Sequence, residues 1–280
     1  MELDVSTWIS HCFLPDHTEL QEHTLKTASD LVIGDRCQID YGLEGADIVI
    51  CEFCKINGNI ISSGDVRIDN WCEVFGDVIA DEDAYIGEGV KIHGKLIVRG
   101  DLDIGDNVTI EKGFEAKGWI VIRNPIPVIM YLLLYLITVL NLDRDDKVDE
   151  VLQELFGDDD MMKGNPLRIP PGSTLNMQVF SVPHSVEIGS ECRLHGNIRS
   201  ETIQVHEATT IFGSLRALKS IAVGSSTTIH GDISTDGSIQ VEKEAHILGN
   251  ASAGNLTMHE DARIDGLIKA PNGLKIQRTA

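Results

Sequence analysis

Aromatic side chains are scarce, at 5% of 280 residues, and basic ones are outnumbered, with 23 Lys plus Arg against 44 Asp plus Glu. The formal net charge of -21 repels phosphate, which argues against a nucleic-acid partner. It also repels other copies of the same chain, so any self-association should depend on salt. There is no basic stripe with interleaved aromatics. There is no glycine loop at nucleotide-binding spacing, because the glycines follow another period. Six Cys at irregular spacing do not read as a disulfide framework. Residues 1–14 lack a basic start and a long apolar run, so no secretory leader is expected. A reducing, cytoplasmic setting follows.

What the chain does have is a repeat. Ile33, Ile50, Ile68, Ile86 and Ile104 recur at steps of 17 or 18 residues, and Ile188, Val205, Val223, Val241 and Met258 form a second series at the same steps. Around each anchor the pattern is the same. Positions -2, +6 and +10 are apolar, as at Ile48, Ile56 and Ile60. Position +2 is polar, as at Asp35, Glu52 and Asn70. Position +8 is Gly in eight of ten rungs, including Gly58, Gly76, Gly213 and Gly231. Even offsets point to one side of a strand, so positions -2, 0, +4, +6 and +10 face inward. Strands this short gain stability only by stacking on the same strand of the next coil, about 4.8 Å away.

The expected fold is an all-β solenoid, a parallel β-helix in two blocks of about five coils. Left-handed β-helices carry a small residue four after each aliphatic one. Here the equivalent slots at +10 and +16 hold Ile, Val or Leu, which favours a right-handed coil. Four segments are expected: an N-terminal arm or cap over 1–30, block 1 over 31–122, an apolar helical hairpin with an acidic linker over 123–170, and block 2 with a short tail over 171–280. Residues 14–25 suit a partial coil folded over the start of block 1.

The segment between the blocks is distinctive. Residues 126–142 carry no charge, and Pro125 and Pro127 suit the first turn of a helix. A second helix is expected over about 145–156, with Val148, Val151, Leu152, Leu155 and Phe156 on one face and Gly157 after it. Seventeen apolar residues fall short of the roughly 20 that a membrane span needs. Three readings stay open: a hairpin packed on protein, a hairpin dipped into a membrane surface, or a span. Ile129, Leu133, Leu136, Ile137 and Leu140 are the candidate partner- or membrane-facing residues.

Few residues suggest chemistry. Cys51 and Cys54 form a CxxC that no second pair completes. Cys37, Cys54, Cys72 and Cys192 all fall at the inward +4 slot, where a buried Cys acts as a small hydrophobe. His93, His195 and His230 share the outward +7 position, and His206 and His259 share +1. His195 and His230 lie two rungs apart, about 10 Å, too far to share one metal whose Zn–N bonds are about 2.1 Å. No metal site, cofactor, small-molecule substrate or catalytic residue is assigned. A hexapeptide-type trimeric enzyme, acyltransferase or γ-carbonic-anhydrase-like, remains the alternative to a scaffold, because any exposed His could serve an acyltransferase.

The phrases Val90-Lys91-Ile92-His93-Gly94-Lys95-Leu96, Ile229-His230-Gly231-Asp232-Ile233 and Ile264-Asp265-Gly266-Leu267-Ile268 resemble the bactofilins, polymer-forming cytoskeletal proteins with a right-handed β-helix. The two-block layout and the stretch from Gly118 to Pro127 are most similar to their archaeal relatives, the halofilins. The resemblance covers about residues 31–270. It implies self-assembly into filaments or sheets, a role in cell shape, and no catalysis. Open coil ends suit such assembly. Leu31 and Ile33 at one end, and Leu274 and Ile276 at the other, are the candidate polymer contacts. The partner is then another copy, with a membrane surface as a further partner through 126–142.

Overall fold

The computed structural model describes residues 11–21, 23–122, 166–176 and 178–278. Each turn holds three short strands. Ile48–Ile50, Lys55–Ile56 and Ile60–Ser62 make one such turn. We call the three stacked columns of strands the first, second and third faces. Ile50, Ile68, Ile86 and Ile104 pair in register along the first face. Ile56, Val74 and Ile92 pair along the second, and Ile60, Val78 and Leu96 along the third. The whole is an all-β solenoid of about 12 turns, and the described residues contain no helix. The inward columns form one continuous apolar core from Cys12 to Ala262.

The expected separation into two blocks does not hold. The two series stack into one rod, and they do so start to start. Leu31–Ile33 pairs in parallel with Leu167–Ile169, and His11–Leu14 pairs in parallel with Ser185–Ile188. Between these two added strands the chain direction reverses, with Phe13 opposite Arg168 in an antiparallel pair. The start of each half is therefore covered by a segment belonging to the other. The arm runs along the second half through Glu19–Leu20, turns back, and joins the first half as Thr24–Lys26. The segment from Leu167 runs along the first half through Thr174–Leu175, turns back, and joins the second half as Val179–Ser181.

This exchange repeats itself atom for atom. Gly34 N–H donates to Ile169 O at 2.7 Å, and Gly189 N–H donates to Leu14 O at 2.7 Å. The Cys37 thiol donates to Pro170 O at 3.2 Å, and the Cys192 thiol to Pro15 O at 3.2 Å. Thr18 and Ser173 each donate to the carbonyl three residues back at 2.7 Å. The rod thus has an approximate twofold axis through its middle, where Arg168 lies 5.3 Å from the Phe13 ring.

Several expectations change accordingly. Leu31 and Ile33 are fully buried inside the rod, so they form no free end. Solenoid structure resumes at Leu167, inside the stretch expected to be linker. The arm completes the second half instead of merely capping the first. The helical hairpin, with Ile129, Leu133, Leu136, Ile137 and Leu140, lies outside the described residues.

The corners explain the remaining sequence pattern. At +3, nearly every rung holds a residue in the left-handed region, among them Phe53 (φ 57°), Trp71 (φ 59°), Ala208 (φ 56°) and Glu244 (φ 59°). The +4 side chain then donates to the +1 carbonyl of the rung before: Cys54 to Gly34 O at 3.0 Å, Cys72 to Cys51 O at 3.0 Å, Thr209 to Gly189 O and Thr227 to His206 O, both at 2.9 Å. Six of the ten +4 slots hold Cys or Thr, which can make this bond, and the other four hold Val or Ala, which fill the same small space without it. The +8 glycines stack where rungs come closest. A Cβ on Gly231 would lie 2.5 Å from Gly213 O, and one on Gly94 would lie 2.2 Å from Gly76 O.

Candidate functional site: the open ends of the solenoid

Because the two halves meet at their starts, both ends of the rod are places where a coil stack runs out. At the end of the second half, Gly273–Gln277 pairs on one side only, with Asn255–His259. Leu274 and Ile276 occupy the -2 and 0 positions of this last rung. They are 49% and 58% exposed, against 1% for Leu256, which holds the -2 position one rung in. Leu267 and Ile268 are exposed beside them. At the end of the first half, Ile120–Ile122 pairs with Leu102–Ile104 and Phe114–Ala116 with Leu96–Val98. No strand among the described residues covers them. Phe114, Trp119 and Ile120 are exposed there.

Phe114, Ile120, Ile268, Leu274 and Ile276 belong to inward positions and are bare because no further coil among the described residues lies over them, whereas Trp119 and Leu267 stand at outward positions. Among the described residues, apolar area and backbone groups without a strand partner coincide at both ends, which is the condition for strand addition. Charge is locally balanced at the second end. Arg278 Nε lies 3.6 Å from Glu260, and Arg263 Nε lies 2.5 Å from Asp265. Hydrogen bonds from His246 and Arg263 hold the Asp265 carboxyl below its usual range.

The candidate chemical residues fall elsewhere. His195, Phe212 and His230 stack on the outside of the solenoid with neighbouring centroids 4.5 Å apart, so a phenyl ring separates the two imidazoles. His93 bridges Glu73 and Glu111 at 3.1 and 2.8 Å, and these carboxylates raise its pKa. His206 Nε2 donates to Glu187 at 2.9 Å, and His259 sits 3.6 Å from Asp261. Cys51 and Cys54 are both buried. Burial raises the Cys51 thiol well above its usual value, and at Cys54 the bond to Cys72 together with burial outweighs the lowering by Cys37. Burial pushes Cys192 up to about 11. Thiols held protonated in this way are poor nucleophiles and poor ligands. Among the described residues no group of three or more His, Cys, Asp or Glu is placed to hold a metal ion.

A family model described as bactofilin, polymer-forming cytoskeletal, matches residues 180–269. This stretch is a bactofilin domain. It covers most of the second half of the rod, including the rungs that lead to the open end at Leu274 and Ile276. No curated protein and no solved structure matches the chain. The bactofilin match places the second half in a family of polymer-forming scaffolds and gives no support to the hexapeptide-enzyme alternative. Among the described residues no helix is long and apolar enough to cross a membrane.

Proposed function

We propose that this chain is a rod-shaped subunit of a cytoplasmic scaffold that polymerises end to end, organising cell shape and catalysing no reaction. The observation that carries the reading is the exposure of inward-type apolar side chains in both terminal rungs, Leu274 and Ile276 at one end and Phe114 and Ile120 at the other. Stacking a further coil on them buries apolar surface at roughly 25 cal/mol per Å² and pairs the free strand edges. Two coil stacks that meet at their exits run antiparallel, as two meeting at their starts do in the middle of this rod. The central junction therefore serves as the pattern for a contact between copies. A right-handed coil belongs to the same proposal. So does a second attachment through the uncharged run 126–142, to a membrane surface or to another subunit.

The test is Ile276→Lys. A charge at this position cannot be desolvated between stacked coils without a partner. The variant should keep the wild-type circular dichroism spectrum and melting curve while losing sedimentable polymer. Wild-type sedimentation by a folded variant would exclude this end as a contact.

A further inference from the structure

Two columns of opposite charge run along the rod, and no contact within the described chain uses both. The first is acidic. Asp30, Asp47, Asp65, Asp83 and Asp101 stand immediately before the first-face strands of successive rungs. Asp47, Asp65 and Asp83 each accept the backbone N–H of the next Asp at 2.7–2.8 Å, and Asp101 accepts that of Trp119 at 2.7 Å. These bonds hold one oxygen of each carboxylate against the backbone and fix the column at the rung spacing of about 4.8 Å. Asp65, Asp83 and Asp101 are exposed.

The second column is basic. Arg199 and Arg216 are register partners on neighbouring strands of the second half, and both are exposed. They line a groove of about 290 Å³ together with Val182, Pro183 and the exposed Leu218. Glu201 also lines the groove, but its carboxylate is bound to Lys219 at 2.5 Å, which lowers its pKa. Neither arginine has an ion-pair partner among the described residues. In a chain of net charge -21, two adjacent exposed guanidiniums make a local basic patch that attracts an acidic surface.

Their placement suggests what approaches. The acidic column sits where the chain enters the first face of the first half, and Arg199 and Arg216 sit on the third-face strands just before that entrance in the second half. The two halves run antiparallel across that face, so the two entrances lie on opposite edges of it. The spacing is one rung in both columns. We infer that the Arg199/Arg216 groove of one rod receives the Asp65–Asp83–Asp101 edge of a second copy, side by side. Acidic edge to basic edge is a heterologous contact, and its repetition gives open sheets of rods. This deepens the scaffold reading by naming the lateral contact, and it rests on that reading for the rod as the unit.

Salt separates the lateral contact from the end contact. Exposed charge pairs are screened within about 10 Å at 0.1 M, whereas burial of apolar ends is not. The experiment is negative-stain imaging of the full chain at about 50 mM and about 500 mM salt, scoring length and width separately. Wild type should be two or more rods wide at low salt and one rod wide at high salt. R199E/R216E should be one rod wide at both. The deciding variant is D65N/D83N/D101N. It keeps the amide acceptors and lowers the net negative charge, so loss of general repulsion would widen the assemblies, whereas the inferred contact predicts that they narrow to one rod. Assemblies as wide as wild type in either variant, or wild type one rod wide at low salt, overturn the inference. Wide but short wild-type assemblies would instead overturn the end contact and leave the lateral one standing.

Discussion

Ala208 occupies the left-handed region at a +3 corner (φ 56°), where a Cβ costs roughly 1–2 kcal/mol. Glycine removes that cost but frees the unfolded chain by about 0.4–1 kcal/mol. Ala208→Gly should therefore raise stability by about 0.5 kcal/mol, read as a small increase in melting temperature. Gly231→Ala should do the opposite. Its Cβ would lie 2.5 Å from a backbone carbonyl of the neighbouring rung, and a rigid stack cannot yield locally. A loss of about 1–3 kcal/mol is expected, measured by denaturant unfolding. Asp69 adds a dependence on pH. It is 2% exposed, and Arg67 Nε lies 3.5 Å away. Burial pushes its carboxyl up to about 6 despite that arginine. A carboxyl raised in the folded state favours folding when protonated. The fold therefore gains stability from this group as pH falls from 7 through about 6 towards the unfolded value near 4. Asp69→Asn should be more stable than wild type at pH 7, by the order of 2 kcal/mol, and the difference should close by pH 4. Melting curves at the two pH values read it directly, and an unchanged gap would assign the effect to another group.

At the scale of strands and corners, much of the architecture is legible in the sequence. The anchors, the inward offsets and the +8 glycines mark the three strands of each turn because close stacking tolerates only apolar side chains inside and no side chain at the tightest corner. Two features are not legible in the same way. The left-handed +3 position is filled by Phe53, Trp71, Glu191 and Glu244 as readily as by Gly89, because the geometry of the stack overrides local preference there. The exchange in the middle leaves only a short trace. Leu14-Pro15, Thr18 and Leu20 recur at constant spacing as Ile169-Pro170, Ser173 and Leu175, and a search for long periodic blocks passes over them. The Asp column also reads in sequence as solvated charge, whereas its members cap the backbone of the next rung. Asp83→Ala should lose about 1 kcal/mol through the uncapped Asp101 amide. Asp83→Asn should lose little or nothing, since the acceptor remains and like charges at one-rung spacing are relieved. Equal losses in both variants, measured by urea unfolding, would contradict the capping role.

For the whole molecule, the start-to-start junction determines which surfaces remain for other copies. It buries Leu31 and Ile33, which the sequence offers as an end, and leaves Leu274 and Ile276 exposed together with Phe114, Trp119 and Ile120 at the opposite end. Sequence periodicity alone locates the Leu274/Ile276 end but does not reveal that the two halves share one axis, since Leu167–Ile169 and His11–Leu14 pair with strands far away along the chain. The rod of about 12 turns has a length of roughly 60 Å at the spacing between stacked strands. The most direct test of the account is electron microscopy of wild type and of Ile120→Lys/Ile276→Lys at a salt concentration that screens the acidic surface. Wild type should form long filaments with an axial repeat set by that rod length, and the double variant should remain as single rods of the same length. Filaments of unchanged length in the folded double variant would contradict assembly through the ends.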